Sequence, residues 1–594
     1  MKTTARLALT FFALSFVAQI ASGDPQVDSW FTTYSGKYAH IYTNDTMKAN
    51  GTTVTTWSNG QQTQSSPAYC GAQQILTSSS NVYVRSTGLG SHVMGPWWMT
   101  EAHTTVFVNL PANQKMIYKF PRVPTPATTH TAVQGEVGMT VDGVRIFDSG
   151  DAFSYSYANS QDATAGNGLT GDGLWNREAW SNEGTTMDPG YAHQQNTGRY
   201  HYHATPIALR YLLGDHITFD SVAKTYSEST NAPTKHSPII GWIQDGYPLY
   251  GPYGYSSASN SSSGIRRMIP GYVRRDGTSG SINLTLTGRT NFPAWRAREG
   301  NRSTTLAAAE FGPSVSSTYP IGHYEEDYEY LADLGKTQGS DFDLDEYNGR
   351  WCVTPEFPNG TYAYFTAIDS SGTPIYPYNT GRQYYGVASG NLVSSITETV
   401  VTNFDGGANA PLTLKPPAIS NNVVTLLWSA TEGGTYRVES SADLTTWSTN
   451  AGNVLATLNS GAYSGASSAS NVFYRVVRTN LATYDSVISA TGGGILSVSP
   501  TSGNRGTTFT LTINLDPAAS PAPPPSQAPI NSVTVGSITG GSNLHVSQTQ
   551  VTSSITIPAN YTTGTQTVTV VFPGPPDNPS ATVTYTLANG FTVK

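Results

Sequence analysis

Apolar and polar residues alternate in short runs along most of this chain, and long amphipathic stretches are scarce. Runs at 82–86, 105–109, 115–120, 138–141, 144–147, 239–244 and 361–367 carry the period of two that marks a strand. Asp142-Gly143 separates the runs at 138–141 and 144–147, and Asp245-Gly246 follows the run at 239–244. Both pairs favour tight hairpin turns. Pro121, Pro124 and Pro126 end the run at 115–120 in a loop or a sheet edge. Helical signals are confined to 304–310 and the acidic stretch 325–334, while 158–184 reads as a long irregular connection. After Gly406 the character shifts to Ser, Thr, Val and Ala, with strand-like runs at 423–428, 434–440, 472–479 and 564–572. The expected fold is mainly β. A large β-rich domain with long loops spans 24–400, and two small β-sandwiches follow at 406–483 and 494–594. Gly492-Gly493-Gly494 links the two sandwiches, and 517–529 reads as a Pro/Ala/Ser surface loop.

The first residues change the picture of where the chain goes. Lys2 and Arg6 precede an apolar stretch at 7–20, which ends in Ala21-Ser22-Gly23. That order is a secretory signal peptide over 1–23, and the protein is expected to be secreted, extracellular or at the cell surface. Export makes the only two cysteines, Cys70 and Cys352, an expected disulfide, with a metal-ligand or buried-thiol role as the competing reading. Net charge is −8 with no basic run, which argues against nucleic acid as a partner. No later segment is apolar for long enough to span a membrane.

Candidate chemistry gathers at Arg199-Tyr200-His201-Tyr202-His203. In a strand, successive side chains point to opposite faces, so His201 and His203 share one face and Tyr200 and Tyr202 the other. Two imidazoles at this spacing can reach one ion. His193 and His236 flank the pair, and ten of the eleven histidines precede residue 395.

Several blocks around this tetrad resemble the YHYH family of secreted proteins. They are Gly138–Phe147, Asp188-Pro189-Gly190-Tyr191-Ala192-His193, the stretch 237–254 with its Asp245-Gly246-Tyr247-Pro248, and the segments 344–350 and 354–365. The resemblance covers about 80–390. The family commonly places Gly before the histidine that leads into the tetrad, and here Ala192 stands. Residues 436–447 resemble fibronectin-III-like modules. Ile495-Leu496-Ser497-Val498-Ser499-Pro500-Thr501-Ser502-Gly503 resembles the start of IPT/TIG immunoglobulin-like domains.

Residue types carry the chemistry further than the resemblance does. His193, His201, His203 and His236 are the expected ligands of a transition metal ion, copper or zinc first. Asp188, Asp245, Glu346 and Tyr202 are the candidates to stand behind them. The fold decides whether His103 or His323 joins. Asp245 in Asp-Gly also fits a plain turn residue. No Gly-x-Ser-x-Gly, phosphate-binding Gly loop or His-Glu-x-x-His occurs. The expected function is a secreted metal-binding protein, with metal-dependent catalysis left open. The alternative is a non-catalytic adhesion or glycan- or protein-binding surface protein. In either case the C-terminal modules are candidates to meet extracellular glycan or cell-surface material.

Overall fold

At Asp142-Gly143 the chain turns as its composition dictates. Gly143 has φ +81°, and a Cβ there would lie 2.2 Å from Ser86 Oγ and 2.9 Å from the Ala72 nitrogen, so no side chain fits. The Thr140 hydroxyl donates to Asp142 Oδ1 (2.6 Å) and receives the Val144 N–H (3.1 Å), which fixes the turn. The computed structural model describes residues 23–594 apart from 60–61, 457–458, 467–471, 488–493, 516–522, 525–527 and 574–581. Residues 1–22 of the expected signal peptide, Gly492-Gly493 and most of the 517–529 loop lie outside the described residues.

The hairpin at Asp142-Gly143 lies inside an eight-stranded sheet. Its strands are β1 (Glu136–Thr140), β2 (Arg145–Phe147), β3 (Ala192–Gln194), β4 (Tyr200–Tyr202), β5 (Ile239–Ile243), β6 (Pro248–Tyr250), β7 (Gly349–Cys352) and β8 (Thr361–Phe365). Their spatial order is β3-β4-β2-β1-β5-β6-β8-β7. Pairings β4–β2 and β6–β8 are parallel, and the rest are antiparallel. A five-stranded sheet packs on one face: Asn391–Leu392, Met116–Pro121, Asn81–Ser86, Ala72–Thr77 and Val401–Asp405. Val401–Asp405 falls between the domains expected from sequence, and pairing with Ala72–Thr77 ties it to the large one.

Both faces of the central sheet are buried, so its middle strands are apolar nearly throughout. Ile75, Val84, Tyr118 and Phe120 meet Met139, Ile239, Trp242 and Phe365 between the sheets. Val137, Ile146, Ile240, Ile243, Leu249 and Tyr364 form a second core on the other face. Trp242 is 1% exposed, and truncating such a side chain to Ala costs about 3–5 kcal/mol.

Three expectations fail locally. The stretch 158–184, read as irregular, holds the strands Gln161–Asp162 and Asn176–Glu178 and the helix Ala179–Glu183. Residues 105–109 form no strand, only one bridge between Trp98 and Val106. The helices expected at 304–310 and 325–334 are short 3-10 turns, Ala308–Glu310, Glu325–Asp327 and Leu331–Leu334. Ion pairing explains the second stretch. Glu325, Glu326 and Asp327 are buried against Arg382, Arg296 and Arg289 instead of lining a solvated helix.

Beyond the large domain, two β-sandwiches form as expected. One packs around Leu426, Trp428, Tyr436 and Val438, the other around Leu511, Ile513, Val568 and Val570. The chain is mainly β, and no helix among the described residues is long and apolar enough to cross a membrane.

The expected disulfide is absent. Cys70 and Cys352 are free thiols in different cores, one with Trp57, Trp97 and Tyr200, the other with Met139 and Trp242. Cys70 Sγ donates to the Tyr34 carbonyl at 3.1 Å, and burial pushes its thiol up to about 12. Burial raises Cys352 too. Buried thiols of this kind pack as small hydrophobes. Alkylation in denaturant without reductant is expected to label both cysteines; a protein that takes label only after reduction would contradict this arrangement.

Candidate metal centre

The turn through Asp188-Pro189-Gly190-Tyr191 sets β3 against β4. Asp188 Oδ1 receives the Gly190 N–H (2.8 Å) and Oδ2 receives the Gly95 N–H (2.8 Å). A Cβ on Gly190 would lie 2.6 Å from His92 Nε2, so the close approach requires glycine. In the resulting register His193 stands directly opposite His201. His203 follows two residues on, on the same face as His201. Sequence alternation and cross-strand pairing together bring three imidazoles to one point.

The three ligand-capable nitrogens all lie within 4.8 Å of one another. His201 Nε2 is 3.1 Å from His193 Nε2 and 3.1 Å from His203 Nε2. The partners of the other ring nitrogens assign the tautomers. His201 Nδ1 meets the Arg199 carbonyl (2.8 Å) and His203 Nδ1 the Asp148 carbonyl (2.7 Å). Carbonyls only accept, so both Nδ1 atoms donate. His193 Nδ1 meets Thr186 Oγ1 (2.7 Å), and that hydroxyl gives its own proton to the Glu183 carbonyl (2.7 Å). His193 therefore donates from Nδ1 as well. Burial pushes His193 down to about 3 and His203 to about 4, and holds His201 well below the ordinary imidazole value. All three rings are neutral at pH 7, with a bare Nε2 aimed at the same space.

Bare nitrogens 3.1 Å apart cannot bond to one another. One shared proton could join a pair but not all three. A cation satisfies all of them. With nitrogen–metal distances of ~2.0–2.1 Å, nitrogens 3.1 Å apart subtend about 95–102° at the ion, close to tetrahedral or facial geometry.

Phe147 stacks on His201 (centroids 4.0 Å apart) and Phe107 on His193 (6.0 Å). Glu183 Oε2 lies 3.5 Å from His203 Nε2 and 3.7 Å from His193 Nε2. Although 28% of that side chain meets solvent, burial of the carboxyl, and then Asp151, pushes Glu183 up to about 8. The helix Ala179–Glu183 places it, held at its start by Glu178, whose carboxylate accepts the Trp180 and Ser181 N–H groups.

The other expected site residues lie elsewhere. His236 is not in the cluster: its Nδ1 meets the Ser237 carbonyl (2.7 Å), and Tyr250, Tyr255 and Phe365 surround its ring. Tyr202 packs on the opposite face with Tyr200, Trp97 and Met94. Asp188 acts from that face too, accepting the Tyr200 hydroxyl at 2.7 Å. Asp245 is a turn residue that accepts from Tyr364 (2.6 Å), Gly386 (2.9 Å) and Tyr247 (3.2 Å). Glu346 pairs with Arg298 at 2.9 Å. His103 pairs with Asp45 (2.7 Å) and His323 with Asp162 (2.6 Å). Glu183, Thr186, Phe107 and Phe147 carry no spacing signal that sequence reasoning could have used.

A family model described as YHYH protein matches residues 117–375, the segment that holds the three histidines and Glu183. No curated protein matches the chain.

Behind the hairpin, Tyr200 gives its hydroxyl proton to Asp188 and so accepts from His92 Nε2 at 3.0 Å. Among the described residues the buried His92 Nδ1 has no hydrogen-bond partner, and burial pushes the ring down to about 4. The unfolded chain, at ~6.5, takes up this proton first. Stability is therefore full above pH 6.5 and is lost as pH falls toward 4, on the order of 2–3 kcal/mol from this residue. Urea unfolding of the large domain at pH 7 and pH 4.5 is expected to show a smaller acid loss in His92→Gln than in the unaltered protein. Equal losses would contradict it.

Proposed function

We propose that this chain is a secreted metal-binding protein that holds one transition-metal ion, zinc or copper, on His193, His201 and His203. One observation carries the reading: three neutral imidazoles, each donating through Nδ1, turn three bare Nε2 atoms on one point. Imidazole ligands suit zinc and copper, and three protein ligands leave a coordination position open. Glu183, pushed up to about 8 by burial, stands beside the two outer histidines, where a bound cation would favour its carboxylate form. An ion held here would supply Lewis acidity to a group bound at the open position. Secretion rests on the charged, apolar and small-residue order of residues 1–23. We read the two C-terminal sandwiches as fibronectin-III-like and IPT/TIG-like modules that present the large domain to extracellular material.

Elemental analysis of the purified protein is expected to return about one zinc or copper ion per chain. His201→Ala and His203→Ala lose most of it, whereas Tyr202→Phe, altered on the opposite face, keeps it. Thr186→Val, which removes the acceptor for His193 Nδ1, weakens affinity about 10–100-fold. Folded protein that takes up no ion, or a His201→Ala variant that binds as tightly as the parent, would refute the reading.

A further inference from the structure

The guanidinium of Arg382 lies 3.8 Å from the Asp148 carboxylate and also lines a cavity of about 150 Å³ that the metal reading does not use. Tyr272, Trp295, Arg298, Glu299, Glu346 and Gln383 share its walls. One water needs only ~10–15 Å³ of such space, so the cavity has room for a small ring.

Charge pairing narrows what that ring can be. Arg298 is already shared between Asp333 (2.6 Å) and Glu346 (2.9 Å). Arg382 is held by Glu325 (3.1 Å) as well as by Asp148. No cation is left over for a phosphate or carboxylate ligand. Glu346 is likewise spent on Arg298, so a cationic ligand finds no free carboxylate pair. Glu299 is different. Its nearest cation is Arg296 at 3.9 Å, and among the described residues no hydrogen bond reaches its carboxyl. Burial pushes Glu299 up to about 7, so its carboxyl carries a proton about half the time at pH 7. The Gln383 side-chain amide also makes no hydrogen bond among the described residues, and Arg382 gives only Nη1 to Glu325. The wall thus offers donors and acceptors and no unpaired cation, beside Trp295 and Tyr272, which are 3% and 8% exposed.

We infer that this cavity binds one ring of a neutral polyhydroxylated compound, a saccharide, through Glu299, Gln383 and Arg382 with Trp295 and Tyr272 against its apolar face. Such a mixture of aromatic surface and a few convergent polar groups is what small-ligand sites present. The inference is independent of the metal reading, since the two sites share no ligand group.

Saturation-transfer NMR on the full chain tests it. The probes are the methyl glycosides of glucose, galactose, mannose and N-acetylglucosamine at millimolar concentration, with inorganic phosphate and acetate as anionic arms. At least one glycoside is expected to bind and neither anion to compete with it. Glu299→Ala and Gln383→Ala should each weaken that binding about tenfold with circular dichroism unchanged. Gln383→Ala, at a half-buried position, keeps the test open should Glu299→Ala fail to fold. Absence of binding by all four glycosides, preference for an anion, or equal binding by the folded variants would overturn the inference.

Discussion

Each imidazole of the triad gives its proton away through Nδ1, to a backbone carbonyl or to a hydroxyl whose own proton is already committed. This leaves three bare Nε2 atoms converging in a buried pocket. In water such nitrogens would be solvated. Here each histidine is 3–4% exposed, so the cost of three unsatisfied acceptors falls on the fold unless a cation joins them. Register, stacking and the carboxylate beside the site all gain their significance from that arrangement.

The scaffold holds the point from behind. Parallel pairing of β4 with β2 sets His201 beside Arg145 and brings Phe147 over its ring. On the opposite face the Tyr200 hydroxyl ties the strand to Asp188 and His92, and Asp188 at the same time shapes the turn that carries His193. One strand thus presents chemistry on one side and a hydrogen-bonded aromatic anchor on the other. Carboxylates gather around the histidines, and Arg177 and Arg382 balance them: Arg177 pairs with Asp151 at 2.9 Å, while Arg382 faces Asp148 and Glu325. Asp148 serves twice, its carbonyl holding His203 and its carboxylate meeting Arg382.

Alternation alone made the shared face of His201 and His203 legible, because the period of a strand leaves no freedom. His193 was legible only as a neighbour. Its cross-strand position depends on a turn with Tyr191 at φ +73°, which Tyr-Ala-His does not announce. Proximity in sequence misled for His236, which precedes β5, a strand three places away from β4 in the sheet. Glu183, Thr186 and Phe147 arrive through a short helix, the 3-10 turn after it and a parallel pairing, none of which leaves a local signature. Likewise, the composition shift near residue 400 located the sandwiches but not the strand Val401–Asp405, whose edge pairing reaches back more than three hundred residues. Even cysteine count and the expected export pointed to a bond that two separate cores exclude.

X-ray absorption at the zinc edge of zinc-loaded protein tests the central claim most directly, because it reads the ligand atoms themselves. The account predicts a shell containing three imidazole nitrogens at ~2.0–2.1 Å, with the multiple scattering that imidazole rings produce. A first shell of oxygen alone, without imidazole scattering, would contradict it.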